Sequence, residues 1–581
     1  MSEKIMGDLI SATIQERNRI EEPKNRSRYF MFGKVDERHD KKAYTVTFEN
    51  VPDRVHRDAR WSAGRNTLSL FKIGDIYAEA IMDTAPNGIN ISISSEEIAR
   101  LNVDIEALKR ITEIGIDYVM DNRELTDHLM NFLDVRQHTG NQFLVPLIQN
   151  AKPVPTKPIA GALLDNDLNA SQKEGIEKAL GQKVTFFWGP PGTGKTKTMA
   201  ALAASLIQKG KRVLLTALSN MALDQLLLST KEMLKNASLL TSIARLGSAM
   251  DEKCRGFSRD LFNGSGFEAK RAGMRWSEHV KLASLVAGNF TMLTFPRATN
   301  PGQFDYVIAD EVSMANIPSL AAASFFAKDG LVVGGDPHQL PPIYPEDAEE
   351  PNEWFRDNIF KIAGVNKRTD PRVAFLDTQY RMQKEIGDLV SQMFYGGELK
   401  TGTGPLPLLG DLGGRVVFFH SPGCVEMVGR TFFDTEEQRR YNEVHAESAA
   451  RIALLELMPY FKPSEIGIIA PYNAQVVKTL QKIRELSHHE RLNVHGLKVS
   501  TVHSFQGQER RAIIVDFSDD NVKPTRLTAK WELINVALSR AKEQLVMVGN
   551  CQYLQNKNYF SEKEVEVFRI MLNKSRILSR K

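Results

Sequence analysis

Residues 184–196 read Val184-Thr185-Phe186-Phe187-Trp188 and then Gly189-Pro190-Pro191-Gly192-Thr193-Gly194-Lys195-Thr196. The apolar run predicts a buried strand. The run after it has the pattern G-x-x-x-x-G-K-[ST], in which a glycine-rich turn leads into a helix. Backbone N–H groups of such a turn surround phosphates, Lys195 reaches the β- and γ-phosphate oxygens, and Thr196 offers a hydroxyl to Mg²⁺. A plain glycine turn is the alternative, but the flanking strand and helix patterns favour a P-loop at 189–196, with ATP and Mg²⁺ as cofactors.

Length and composition limit the classes of protein to which this chain can belong. The chain has 581 residues, which is too long for one hydrophobic core, and its 42% hydrophobic and 25% charged residues are typical of globular domains. A formal net charge of +4 is small, so a nucleic-acid surface would have to be a local groove. Cys254, Cys424 and Cys551 are far apart, which excludes a disulfide framework and a cysteine-rich zinc module. Because neither a signal core nor a membrane-length apolar run is present, we expect an intracellular protein, cytoplasmic or, in a eukaryote, nuclear.

Changes of pattern along the chain predict its domains. Short β-type runs separated by turns such as Pro86-Asn87-Gly88 predict a small barrel or sandwich, and the Pro-rich stretch 153–158 predicts a linker. The predicted segments are an N-terminal helix (1–27), a β-rich accessory domain (28–93), a helical connector (94–152), a first α/β domain (153–345) with a helical insertion at about 229–285, a second α/β domain (346–560) and a C-terminal tail (561–581).

After the linker, short apolar runs alternate with helical patterns almost to the end of the chain. Such runs are typical of buried parallel strands that are covered by helices on both faces, which predicts the α/β class. The predicted strands are Val184–Trp188, Arg212–Thr216, Phe290–Leu293, Tyr306–Ala309, Leu331–Gly334, Val416–Phe419, Ile466–Ala470, Val499–Val502, Ala512–Phe517 and Gln544–Val548.

Two acidic residues, Asp310 and Glu311, directly follow the predicted strand Tyr306–Ala309. At the carboxyl end of a neighbouring parallel strand, Asp310 is expected to hold Mg²⁺ through water. Glu311 would orient, as general base, the water that attacks the γ-phosphate. An acidic loop after a strand is common in isolation, but the P-loop upstream favours the catalytic interpretation.

Other segments contain groups that suit phosphoryl transfer. Gln339 lies in Gly335–Pro342, a segment that is either a γ-phosphate contact or a plain turn rich in Gly, Asp and Pro. Arg381 and Arg540 follow later, and arginines from a facing domain can neutralise charge in the transition state. A single arginine is more often a solvated surface residue, so these assignments depend on the motif around each one.

Taken in order, these segments resemble superfamily 1B helicases, in the branch of the nonsense-mediated mRNA decay helicase and senataxin. The resemblance covers about residues 160–550. The matching segments are 168–172, 189–196, 217–224, 310–313, 335–342, 379–382, 469–475, 502–509 and 535–542.

The resemblance implies two RecA-like domains with ATP in the cleft between them and a single strand lying across both. It also implies residue roles: Gln172 as adenine reader, Tyr380 as stacking partner of the base and Glu509 as ribose contact. The implied γ-phosphate contacts are Gln339, Arg381 and Arg540, and the implied nucleic-acid backbone contacts are Ser219, Asn220, Thr294, Tyr472 and Thr501.

The implied activity is that of an ATP-dependent helicase or translocase, a monomeric motor that moves 5′→3′ on single-stranded DNA or RNA. Met314 stands where the family usually has Gln, so a polar side chain that would link ATP to the strand is missing. That replacement favours an alternative, an ATP-gated clamp that hydrolyses ATP without processive unwinding. A small-molecule kinase is disfavoured, because it leaves Arg540 and the second α/β unit unexplained.

Overall fold

A computed structural model describes most of the chain. The described residues are 2–19, 27–31, 33–36, 43–49, 68–73, 76–85, 88–94, 116–120, 123–149, 152–156, 167–234, 242–258, 275–295, 302–344, 352–365, 367–408, 410, 412–427, 440–505, 507–524, 527 and 530–579.

The N-terminal part combines helices with an antiparallel sheet, which has the strand order β1-β7-β4-β5-β6-β3-β2. Because β7 pairs with both β1 and β4, the sheet continues beyond residue 93, where the β-rich domain was predicted to end. Of the predicted helical connector, residues 95–115 lie outside the described residues. The elements are α1 (Ser2–Arg19), β1 (Ser27–Met31), β2 (Gly33–Asp36), β3 (Ala43–Glu49), β4 (Leu68–Ile73), β5 (Ile76–Ala85), β6 (Gly88–Ser94), β7 (Ile116–Met120), α2 (Arg123–Asp134) and α3 (Leu144–Ile148).

Helix α1 packs on the first α/β domain. Its residues Ile5, Met6 and Leu9 are buried in the same apolar cluster as Leu129 and Leu133 of α2, and this cluster continues into the parallel sheet. The amphipathic helices at both ends of the β-rich sheet therefore form an outer layer of the first domain.

The first α/β domain has a parallel sheet in the order β10-β11-β9-β12-β13-β8-β14. Its elements are α4 (Ala170–Gly181), β8 (Val184–Trp188), α5 (Lys195–Gln208), β9 (Val213–Ala217), α6 (Asn220–Met233), β10 (Ile243–Arg245), α7 (Glu252–Arg255), α8 (Trp276–Leu282), β11 (Leu285–Ala287), α9 (Phe290–Thr294), β12 (Phe304–Asp310), α10 (Ile317–Ser324), β13 (Ala327–Gly335), α11 (Glu353–Arg356), α12 (Ile359–Ile362) and β14 (Val373–Phe375).

Three predictions for this domain were wrong in detail. The predicted strand Phe290–Leu293 is a helix, because the side chain of Asn289 accepts a hydrogen bond from the amide of Met292 and caps it. The predicted helical insertion contributes a strand, β10, that pairs with β11. The boundary at 345 is too early, because β14 pairs with β8.

The second α/β domain has a parallel sheet in the order β21-β20-β22-β23-β17-β24. Small pairs β15–β16 and β18–β19 lie outside this sheet. Its elements are β15 (Thr378–Gln379), α13 (Lys384–Phe394), β16 (Lys400–Thr401), β17 (Val416–His420), β18 (Glu426–Met427), β19 (Arg440–Tyr441), α14 (Glu443–Arg451), β20 (Ile466–Ala470), α15 (Asn473–His489), β21 (Lys498–Thr501), β22 (Arg510–Asp516), α16 (Trp531–Leu538), β23 (Ala541–Gly549), α17 (Cys551–Leu554), α18 (Glu562–Lys574) and β24 (Arg576–Ser579).

The segment predicted as a C-terminal tail belongs to this second domain. Helix α18 buries Val565, Phe568 and Met571 in the apolar core, and β24 pairs with β17. The tail prediction was wrong because apolar residues recur every three to four positions along α18, and the face that they form packs into the core. The predicted α/β class with parallel sheets is confirmed. Within the described residues, no helix is both long and apolar enough to span a membrane.

Candidate nucleotide site and strand contacts

The candidate nucleotide site lies at the carboxyl edge of the first parallel sheet. Strands β12, β13 and β8 are neighbours and run parallel, so the loops that follow them meet at one edge. The amide of Gly189 donates to the carbonyl of Gly335 over 3.0 Å. This bond joins the P-loop to the segment that contains Gln339.

The P-loop has the backbone that its glycines predict. Gly192 and Gly194 have φ values of 76° and 75°, in the left-handed region that favours glycine. A Cβ at Gly192 would lie 2.6 Å from the Cβ of Arg381, so space as well as backbone conformation requires glycine there. The amide of Tyr380 donates to the carbonyl of Gly192 over 2.8 Å. The P-loop is therefore in direct contact with the Tyr380–Arg381 turn.

Lys195 and Thr196 converge on one carboxylate. The Lys195 ammonium contacts Oδ1 of Asp310, and the Thr196 hydroxyl donates to Oδ2 of Asp310 over 2.9 Å. Burial lowers the pKa of Lys195 to about 8, while the nearby carboxylates of Glu311 and Asp336 act in the opposite direction. The pair Thr196–Asp310 provides the hard oxygen donors that Mg²⁺ prefers.

Glu311 has a strained backbone. Its φ of 55° is left-handed, which is uncommon for a residue with a side chain and typical of functional sites. The carboxylate accepts a hydrogen bond from the Ser219 hydroxyl over 3.4 Å. The predicted general base is thus adjacent to a predicted nucleic-acid contact.

The second domain places two guanidinium groups beside this edge. Arg381 forms an ion pair with Glu509 at 2.6 Å, and its Nη1 donates to the carbonyl of Ser539 over 3.3 Å. Arg540 is buried, and burial together with the neighbouring Arg381 lowers its pKa to about 9. Arg381 is partly exposed, but it lies close enough to repel Arg540, so an anion between the two guanidinium groups would be stabilised.

Glu509 balances part of this positive charge. Although burial alone raises its pKa, the neighbouring Arg381 and Lys542 bring the pKa of Glu509 below its ordinary value. The Glu509 carboxylate contacts the Lys542 ammonium as well as Arg381. It therefore stays ionised at neutral pH.

Gln172 and Tyr380 lie together on the other side of the P-loop. The Gln172 side chain donates to the carbonyl of Thr193 over 2.9 Å and accepts from the amide of Asn169 over 3.0 Å. The Tyr380 hydroxyl accepts from the Asn169 side chain over 2.9 Å, and the Tyr380 residue is 47% exposed. The exposed Tyr380 ring suits stacking on a nucleobase. The Gln172 amide is 3% exposed and caps α4, so its role as adenine reader stays a prediction.

The predicted strand contacts fall into two groups. Ser219 and Asn220 start helix α6 after β9, and Thr501 ends β21, so all three lie at the strand ends of their sheets and are partly exposed. Thr294 and Tyr472 are only 6% and 1% exposed. The hydroxyl of Thr294 donates to the carbonyl of Thr291, and that of Tyr472 donates to Asp519. Both side chains are thus buried and hydrogen-bonded within the protein, and their contact with nucleic acid stays a prediction.

Sequence reasoning missed two supporting residues. Asp336, interpreted only as a turn former, accepts hydrogen bonds from the Trp188 indole and the Gln339 side chain over 3.0 and 2.9 Å. Arg245, fully buried in β10, donates to Oδ1 of Asn220 over 2.9 Å. The signal for Asp336 was its position directly after an apolar strand; for Arg245 no sequence signal was present.

Comparisons with known proteins agree with this arrangement. Two models of an AAA domain match residues 167–284 and 358–552, which contain the P-loop and both arginines. "DNA replication ATP-dependent helicase/nuclease DNA2" of Xenopus laevis is 29% identical over 75% of this chain and 42% of its own length. "DNA polymerase alpha-associated DNA helicase A" of Saccharomyces cerevisiae is 28% identical over 68% of this chain and 66% of its own length.

This chain therefore spans about two fifths of the length of the Xenopus relative. The predicted resemblance to superfamily 1 is confirmed by these matches. With its P-loop, its Asp310–Glu311 pair and the two arginines of a second α/β domain, the chain belongs to the superfamily 1 helicase group.

Proposed function

We propose that this chain is an ATP-dependent motor that moves 5′→3′ along single-stranded nucleic acid and unwinds duplexes or remodels nucleoprotein. One observation carries the proposal: the hydrolytic groups come from two α/β domains. Lys195, Asp310 and Glu311 belong to the first domain, and Arg381 and Arg540 belong to the second. Turnover that needs both domains depends on their relative position, which is how hydrolysis drives movement.

The chemistry follows from these side chains. Mg²⁺ would be held by the Thr196 hydroxyl and, through water, by Asp310, and it would neutralise charge between the β- and γ-phosphates. Lys195 and the P-loop amides bind the phosphate oxygens, and Glu311 orients the attacking water. Arg381, Arg540 and Gln339 stabilise the charge that develops on the γ-phosphate, and Glu509 contacts the ribose.

Ser219 and Asn220 on the first domain and Thr501 on the second provide the strand contacts in this proposal. Hydroxyl and amide groups that bind the backbone position a strand without reading its sequence, so little sequence preference is expected. The relatives are named as DNA helicases or replication helicases, which favours single-stranded DNA as the track and an intracellular, nuclear or cytoplasmic, place of action. The direction of travel follows from the family resemblance.

The relatives that are named as helicases favour a motor over a clamp, although Met314 lacks the polar group that would link ATP to the strand. In place of a polar link, its side chain packs against the apolar core cluster of the second domain. The contact between the two domains at this point is therefore kept by apolar packing.

The decisive experiment is the steady-state ATPase rate without polymer, with single-stranded DNA and with single-stranded RNA. Glu311→Gln serves as the control for hydrolysis at this site. Strong stimulation by DNA, with displacement of duplexes that carry a 5′ tail and not of those with a 3′ tail, would support the proposal. An ATPase rate that neither polymer changes would refute the motor.

A further inference from the structure

The segment Asp336–Leu340 leaves the first domain and packs on the second. It follows β13 and contains Gln339, the predicted γ-phosphate contact. Leu340 is 3% exposed and belongs to the apolar cluster of the second domain, which includes Met382 and Ile386 of the α13 region. A first-domain segment is thus anchored in the core of its neighbour.

Two buried polar side chains of the second domain hold the same segment. The Asn535 amide donates to the carbonyl of His338 and to the Tyr395 hydroxyl, each over 2.8 Å. The Tyr395 hydroxyl in turn donates to Oδ2 of Asp336 over 2.5 Å. Because Asn535 occupies the hydroxyl as a donor, the proton of Tyr395 is directed to Asp336.

The Asp336 carboxylate connects this contact to the nucleotide site. The same carboxylate accepts from the side chain of Gln339 and from the indole of Trp188, the residue directly before the P-loop. Burial and the nearby Asp336 raise the pKa of Tyr395 well above its ordinary value, so its hydroxyl remains a donor. A buried carboxylate that accepts hydrogen bonds at both oxygens holds its partners in one geometry.

Asn535 also lies on the element that leads to Arg540. Helix α16 contains Asn535, and the Arg540 guanidinium donates to the carbonyl of Val536 in the same helix over 3.1 Å. A chain of contacts therefore runs from Gln339 through Asp336 and Tyr395 to the helix beside Arg540.

We propose that Tyr395 and Asn535 are positioning residues that fix the Gln339 segment to the Arg540 helix. Through them, the presence of a γ-phosphate at Gln339 changes the position of the second domain. The inference deepens the proposed function and rests on it for the identity of the ligand, an adenosine triphosphate. Neither residue touches the nucleotide in this assignment. Each acts through Asp336 or through the backbone of His338.

The test uses Tyr395→Phe, which removes one hydroxyl and keeps the ring. Tyr553→Phe is the matched control, because Tyr553 is also buried but its hydroxyl donates to the carbonyl of Val522 and not to Asp336. Energy transfer between two dyes measures domain closure. One dye is attached at Gln208→Cys in the first domain and the other at the exposed Cys424 in the second. A non-hydrolysable ATP analogue is the probe, so no polymer is needed.

In the wild type and in Tyr553→Phe the analogue should change the energy transfer. In Tyr395→Phe, and in Leu340→Ala as a second variant, most of this change should be lost while the analogue still binds. In both variants the ATPase kcat should fall about tenfold, and KM should stay within about twofold of the wild-type value. The reason is that the substitutions weaken the coupling between the two domains and not the binding of ATP.

An unchanged response in Tyr395→Phe, equal losses in Tyr395→Phe and Tyr553→Phe, or a wild type that does not respond to the analogue would each overturn the inference. Failure of the proposed function is a separate result. It would appear as an ATPase rate that nucleic acid does not stimulate, with the analogue response still present in the wild type.

Discussion

Glu311 joins a carboxylate to a left-handed backbone, and its side chain accepts a hydrogen bond from Ser219. Glu311→Gln keeps the size of the side chain and an acceptor for Ser219 but removes the base. We expect nucleotide affinity to be retained and kcat to fall by about 10²–10⁴-fold. Single-turnover hydrolysis and nucleotide titration measure the two quantities, and retained turnover would show that another group is the base.

Arg540 is expected to act mainly in the transition state, where charge spreads over the γ-phosphate oxygens. Arg540→Ala should lower kcat by about 10³-fold with a much smaller effect on ATP affinity. Arg511→Ala is a suitable control, because Arg511 pairs with Glu543 and Glu465 away from the P-loop. If kcat and affinity fell equally, Arg540 would be an ordinary binding residue.

Lys195 makes nucleotide binding depend on pH. Burial lowers its pKa to about 8, so the free protein loses this proton as the pH rises through that value. Bound phosphates favour the charged form, and binding near pH 9 should therefore take up a proton and become weaker with rising pH. Calorimetric titration in buffers of different ionisation enthalpy measures the uptake; its absence would contradict the lowered pKa.

Strand β10 depends on one buried ion pair with helix α6. The side chains of Arg245 and Asp224 are 0% and 2% exposed, at 2.8 Å, and Asp224 also accepts from the amides of Met250 and Asp251. Arg245→Met leaves Asp224 without its cation and should lower the free energy of unfolding by about 3–5 kcal/mol. Urea denaturation measures this loss.

The exposed pair Lys384–Asp388 provides the comparison for that measurement. Removal of the charge by Lys384→Ala should cost less than about 1 kcal/mol, because solvent screens an exposed pair. A similar loss in both variants would mean that the Arg245 pair does not support the β10–α6 contact.

The whole second domain needs its last helix and strand. A protein that ends at residue 560 loses α18, and with it the buried side chains of Val565, Phe568 and Met571. Each such side chain contributes about 1.5–3 kcal/mol when fully buried, so this variant should unfold at a clearly lower temperature. A protein that ends at Ser579 should unfold as the full chain does. Equal melting temperatures for the two shortened proteins would contradict this role of α18.

Much of the fold was predictable from local pattern. β8 and β20 occupy the predicted residues Val184–Trp188 and Ile466–Ala470, because a short apolar run between turns has few alternatives in a buried parallel sheet. The strand predicted at Phe290–Leu293 failed where an N-cap starts a helix. The domain boundary failed at β14, because three residues are too short a run to signal a strand.

By itself, the sequence determined the P-loop, the acidic pair at the end of β12 and the positions of most parallel strands along the chain, since each depends on neighbours in the chain. Tertiary structure alone decided which predicted strand contacts are buried and how the two domains are joined. Tyr395 and Asp336 are 59 residues apart, and Asn535 and His338 are 197 apart. Contacts over such separations depend on how the two sheets pack, and no local pattern of residues encodes that geometry.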